Sequence, residues 1–152
     1  MGIKLITKNK KAYFNYEIKE KYEAGIQLLG SEVKAIKSGQ VNISDSFVKI
    51  IGGEAFLWNA DIPKYKYATV EGYDPFRSRK LLLKRAELRE LQRKAESDRM
   101  TIVPLSVFLA RGMVKLEIGL GKGKRSYEKK KRIKERDLER ELHRERRSFM
   151  VK

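Results

Sequence analysis

The run Met113-Val-Lys-Leu-Glu-Ile-Gly-Leu120 limits most what this chain can become, because every second residue from Val114 is apolar. Successive side chains leave a strand on opposite sides, so period-two alternation marks a strand with one face buried and one face wet. The run passes through Gly121-Lys-Gly-Lys-Arg125, and then the patterning nearly stops. Residues 122–152 hold 14 Lys and Arg against 6 Asp and Glu, or +8 on 31 residues. The other 121 residues carry the remaining half of the chain's +16, at about a quarter of that density. A basic body ends in a far more basic arm.

The body reads as one small domain, with the chain divided into a flexible lead-in (1–10), a packed unit (11–121) and a tail (122–152). Ala12, Phe14, Tyr16 and Ile18 alternate with Tyr13, Asn15, Glu17 and Lys19, which predicts a strand, and Ala24, Ile26 and Leu28 predict a second. Ser31 suits the N-cap of a short helix over 32–38, with Val33 and Ile36 inward and Gly39 as a left-handed stop. Strand patterns over 41–51 and 54–62 flank Gly52-Gly53, a hairpin signal, and Pro63 ends the second. Residues 64–70 fit an exposed strand, and Gly72-Tyr-Asp-Pro75 is loop chemistry. Leu81, Leu88, Leu91 and Ala95 give 79–96 a helical stripe, although Leu81-Leu82-Leu83 serves equally well as the start of a strand. Residues 100–105 and 106–110 read as strands, with Pro104 favouring an edge or a break, and Arg111-Gly112 turns into the last one. The class is mainly β with appended helices: an antiparallel barrel of six or seven strands, closed or nearly so.

A charge of +16 and a pI near 10.0 speak about partners. Nucleic acid leads, since neutralising phosphates releases condensed counterions. An anionic membrane would want cations opposite a broad apolar helical face, and the only apolar pair on one face of the tail is Leu138 and Leu142. Zero cysteines exclude disulfides and thiolate catalysis. No stretch approaches the ~18 apolar residues of a membrane span. Lys4 breaks the first apolar run, which makes a poor signal peptide, and Ile6 stands where myristoylation wants Ser or Thr. The simplest address is the cytoplasm.

In the tail, Arg132, Arg136, Arg140 and Arg144 would form a basic ridge on a helix, beside an acidic ridge of Asp137, Glu141 and Glu145. Such a segment is disordered in solution or becomes helical against phosphate, and the clustered cations favour the second. Enzyme signatures are missing. His143 is the only histidine, so a histidine triad or histidine-rich metal site is not available. Gly119-Leu-Gly121-Lys-Gly123-Lys124 fails as a phosphate loop, because its first glycine would fall at Ile118 and Arg125 replaces Ser or Thr. These glycines are expected to let the chain leave the last strand. Glu23, Glu32, Asp45 and Glu54 suit surface or turn roles, and no catalytic residue, metal, cofactor or small-molecule substrate is expected. Lys64-Tyr-Lys-Tyr67 and Tyr73-Asp-Pro-Phe76-Arg77-Ser-Arg79-Lys80 interleave cations with rings, as single-stranded or loop RNA recognition does.

Seven blocks, in order, carry a resemblance: Asn9-Lys-Lys-Ala12, Tyr22-Glu-Ala-Gly-Ile26, Gly30-Ser-Glu-Val-Lys34, Ser44-Asp-Ser-Phe-Val48, Gly53-Glu-Ala-Phe-Leu57, Arg79-Lys-Leu-Leu-Leu83 and Gly121-Lys-Gly-Lys124. The chain resembles the SsrA-binding protein (SmpB) family over residues 9–137. The resemblance implies an OB-fold-like barrel that binds the tRNA-like domain of transfer-messenger RNA (tmRNA) and delivers it to stalled ribosomes in trans-translation. It implies an adaptor, not an enzyme, and we expect a monomer. By motif position it implies an RNA-contacting set of Glu23, Leu82, Lys84, Lys122, Lys124 and Arg125. It also implies a tail that enters the ribosome's decoding region and mRNA channel, through Glu128, Lys129, Lys130, Lys131, Arg132, Lys134 and Arg136. Two positions depart from the family. Lys84 stands where many relatives carry Asn or His, and Glu128-Lys129-Lys130 replaces Asp-Lys-Arg, without arginine's planar fork. The alternatives are a ribosomal or general RNA-binding protein of the same basic class, and a metal-assisted nuclease.

Overall fold

Both two-residue turns that the sequence marks have the backbone such turns require. Gly52 and Gly53 have φ of 58° and 77°, and Arg111 and Gly112 have 53° and 75°. Left-handed conformations at both central positions match the twist of the strands they join. The computed structural model describes residues 3–68 and 71–124. They form β1 (Ile3–Lys8), α1 (Lys10–Asn15), β2 (Tyr16–Ile26), α2 (Gly30–Lys37), β3 (Phe47–Ile51), β4 (Glu54–Trp58), β5 (Arg79–Leu82), α3 (Arg85–Ser97), β6 (Thr101–Ala110) and β7 (Met113–Gly123). The seven strands make one antiparallel sheet in the order β1-β6-β7-β2-β5-β4-β3. The sheet curls until β3 lies against β6, but no ladder joins β1 to β3 among the described residues. The architecture is mainly β with helices added, an OB-like barrel whose ring stays open.

The strands β7, β4 and β5 send Leu116, Ile118, Leu120, Leu57 and Leu81 into one core, which Ile36 of α2 and Leu91 of α3 complete. Buried apolar surface of this kind contributes about 25 cal/mol per Å². A smaller cluster lies under α1, where Ala12 meets Val103 and Leu105, with Tyr16 and Ile18 beside them.

Several elements differ from the sequence reading. Residues 3–8, expected as a flexible lead-in, pair with β6 as β1. Buried Asn9 fastens the end of that strand. Its amide nitrogen donates to the carbonyls of Ile43 (3.1 Å) and Pro104 (2.8 Å), and its oxygen accepts from Ala12 N, capping α1. The strand expected from Ala12 is helix until Asn15, since six residues are too few to display a helical period. From Tyr16 the two expected strands are one, β2, with a bulge between Ile18 and Glu20.

In α2, Ile36 is buried as expected, but Glu32 is buried too and Val33 only half so. Glu32 accepts from Leu29 N at 2.8 Å, so the helix starts before Ser31, and Gly39 (φ 82°) ends it. Residues 64–68 turn rather than extend, with Ala68 N donating to Tyr65 O. The ambiguous 79–96 segment divides into β5 and α3. Residues 101–110 are one strand, and Pro104 sits at its register shift.

The last strand continues to Gly123, and Gly119 and Gly121, expected to let the chain leave it, are packing positions instead. A Cβ at Gly119 would lie 2.7 Å from Leu105 Cδ1, and one at Gly121 would lie 3.0 Å from Tyr16 Cβ. The tail ridges and His143 lie outside the described residues.

Candidate RNA-binding surface

The segment Glu23-Ala24-Gly25 on β2 uses strand alternation to do three things. Ala24 points into the core, Glu23 points outward, and Gly25 leaves a gap. Gly25 pairs with Leu82 of β5 on one side and Lys115 of β7 on the other. A Cβ at Gly25 would sit 3.2 Å from Leu82 Cβ, so the bare backbone is what admits Leu82. Leu82 remains 49% exposed, an apolar knob at the surface. Lys84 follows at the N-cap of α3. Glu23, Leu82 and Lys84, with Leu83, Glu87 and Lys115, line an open groove of about 410 Å³. Three residues chosen by motif position, 61 positions apart at the extremes, thus share one wall.

The groove's charges are unusual for a strand pair. Glu23 stands directly across from Glu117, and like charges in that position destabilise a sheet. Glu23 takes part in no hydrogen bond or ion pair among the described residues. Exposed carboxylates accept hydrogen bonds from the amino and imino edges of bases. Lys84 and Lys115 attract phosphate, and Leu82 offers an apolar contact to a base or ribose.

Lys122 and Lys124 are elsewhere. Lys122 pairs with Glu17, six residues along β2 from Glu23, or roughly 20 Å at strand rise. Lys124 donates from its backbone N to Asn15 O (2.9 Å) and from Nζ to Tyr13 O (3.0 Å), which ties the end of β7 to α1. Arg125 and the tail set Glu128, Lys129, Lys130, Lys131, Arg132, Lys134 and Arg136 lie outside the described residues.

The sequence reading missed the most heavily bonded group in the body. Glu32, 1% exposed, accepts from Arg77, from Arg79 Nε (2.9 Å), from the Tyr73 hydroxyl (3.0 Å) and from Leu29 N. Arg79, fully buried, also donates to the carbonyls of Ala60 (2.8 Å) and Pro75 (2.9 Å). Burial alone would push the Glu32 carboxyl up. The Arg77 guanidinium, the Leu29 amide and Arg79 outweigh it and hold the group below the usual carboxylate range. Burial and the Glu32 charge push the Tyr73 hydroxyl up.

Within the ring-and-cation run Tyr73–Lys80, Tyr73, Arg77 and Arg79 bond to Glu32 and fasten a loop onto α2, while Phe76 (50% exposed) and Lys80 stay at the surface. Only the spacing of Glu32 near a helix start hinted at a role there. The Lys64–Tyr67 run does stay at the surface, with Tyr67 74% exposed and Lys66 Nζ 5.5 Å from its ring centre. Asp45 and Glu54 are surface partners of Lys11 (2.6 Å) and Lys80 (3.1 Å). No helix among the described residues is long and apolar enough to cross a membrane.

Known proteins share this sequence and shape. The family model of the SmpB protein matches residues 6–148. An SsrA-binding protein of Persephonella marina is 54% identical over 142 residues, covering 93% of this chain and 93% of the relative. One from Mesoplasma florum is 50% identical over 141 residues, covering 92% and 95%. A solved chain reported as "tmRNA-SmpB: a journey to the center of the bacterial ribosome" is 42% identical and superposes with a TM-score of 0.66, over 79% of this chain and 85% of that one. A match over nearly the whole chain, in sequence and in fold, places this protein in the SmpB family of SsrA-binding proteins.

Proposed function

We propose that this protein is a non-catalytic RNA-binding adaptor that holds the tRNA-like domain of tmRNA and brings it to stalled ribosomes for trans-translation. The observation that carries this reading is the convergence of Glu23, Leu82 and Lys84 on one groove. Its support is membership of the SmpB family and likeness to relatives named for SsrA binding. The groove reads an RNA feature through Glu23 and Leu82, while Lys84 and Lys115 neutralise phosphate. Lys122, Lys124 and Arg125 add further cations for phosphate. Residues 128–136 and beyond enter the ribosome's decoding region and mRNA channel. The protein acts as a cytoplasmic monomer.

Competition separates this role from that of a general RNA-binding protein. A radiolabelled tRNA-like domain bound to the full chain should survive a large excess of ordinary tRNA. Ready displacement would favour a ribosomal or general RNA-binding protein.

A further inference from the structure

The RNA-contacting residues expected from motif position fall into two groups, one at each end of the β2–β7 ribbon. Beside this ribbon stands the ring of Tyr13 on α1, with two ammonium groups held against it. Lys8 Nζ, from the end of β1, is 4.9 Å from the ring centre, and Lys21 Nζ, from β2, is 5.5 Å from it. Lys124 Nζ reaches the carbonyl of the same tyrosine. Cations from β1, from β2 and from the residue that follows β7 therefore converge on one short helix. Neither Lys8 nor Lys21 has a carboxylate partner among the described residues, whereas nearby Lys19 is paired with Glu17 at 2.8 Å. A ring quadrupole holds each exposed ammonium by only about 0.5–1 kcal/mol and does nothing to relieve their mutual repulsion. A phosphate would relieve it. Lys21 lies two residues before Glu23, and both are exposed, so their Cα atoms are roughly 7 Å apart along the strand.

We infer that Lys8, Tyr13 and Lys21 form a phosphodiester-binding bridge, which extends the Glu23 groove along the outer face of β2 toward Lys124 and continues its track for an RNA backbone. Tyr13 is the positioning residue, fixing where the two ammonium groups stand. The inference rests on the adaptor reading and extends it to residues outside the motif set.

The test uses the full chain and the tRNA-like domain, with affinity measured across a series of salt concentrations. Lys8→Gln with Lys21→Gln should weaken binding about tenfold at low salt and make the slope of log K against log salt shallower by roughly 1–2, as expected for two lost phosphate contacts. Glu23→Gln should weaken binding with no change in slope. Tyr13→Leu, with both lysines kept, should give a smaller loss, and Tyr13→Phe should restore binding. If the double variant keeps both affinity and slope while Glu23→Gln loses affinity, the bridge is wrong and the adaptor reading stands. Unchanged binding in Glu23→Gln and the double variant alike would overturn both. A double variant that binds weakly with an unaltered slope would overturn the phosphate assignment. Urea midpoints within experimental error of the parent keep a folding defect from standing in for a lost contact.

Discussion

Two glutamates nine residues apart show how differently one chain can use the same side chain. Glu32 is buried, accepts from two arginines, a tyrosine and a backbone amide, and fastens the 59–79 segment to α2. Glu23 is exposed, faces Glu117 across the ladder and has no partner among the described residues. A buried charge persists in a fold only when its hydrogen bonds are met. An exposed charge that has no protein partner and faces a like charge across its sheet is open to an external partner. Glu32 thus serves the fold, whereas the role proposed for Glu23 is binding.

The largest effect that sharpens this contrast is at Glu32. Glu32→Gln leaves the fully buried Arg79 without its counter-charge and should lower unfolding free energy in urea by about 3–5 kcal/mol. A loss under 1 kcal/mol would show that the pair contributes little. Acid provides a second arm of the same experiment. The folded Glu32 carboxyl titrates below its ordinary value of 4.5, so the unfolded chain takes up its proton first as pH falls. The stabilisation is complete above that value and is lost progressively below it. Glu17 and Glu20 are also held low, by Lys19 and by Lys94 respectively, so the parent and Glu32→Gln should both lose stability in acid, the parent more steeply.

Gly25→Ala should have an intermediate effect. Its methyl group presses on Leu82 at 3.2 Å and should cost about 1 kcal/mol or slightly more. Because Leu82 is half-exposed in the groove, affinity for the tRNA-like domain should fall by more than that stability loss accounts for. Equal affinity with reduced stability would mean that the position of Leu82 does not matter for binding.

Much of the fold was legible because its signals are local. The alternation in β7, the Gly52-Gly53 and Arg111-Gly112 turns and the Gly39 stop each depend on a few adjacent residues. The hidden parts depend on contacts distant in sequence. Edge pairing with β6 makes 3–8 a strand, and α1 is a helix because Asn9 caps it and Ala12 packs on Val103 and Leu105. The Glu32 cluster joins residues up to 47 positions apart. Nothing in the spacing of Arg77 and Arg79 says that both turn inward. Gly119 and Gly121 looked like an exit because the residues that fill their space come from β6 and the start of β2. The groove was reached only through motif resemblance. Glu23 and Leu82 are ordinary residues by composition, and the Gly25–Leu82 pairing that joins them appears only in the sheet.

The most direct test of the central claim measures Glu23→Gln twice, for urea unfolding and for affinity to the tRNA-like domain of tmRNA. The substitution removes one charge and keeps the shape. Stability should stay within about 0.5 kcal/mol of the parent, as for an exposed position, while affinity falls about tenfold or more, the cost of one specific charged hydrogen bond. Unchanged affinity in a folded variant would contradict the account, and so would an affinity loss matched by equal destabilisation.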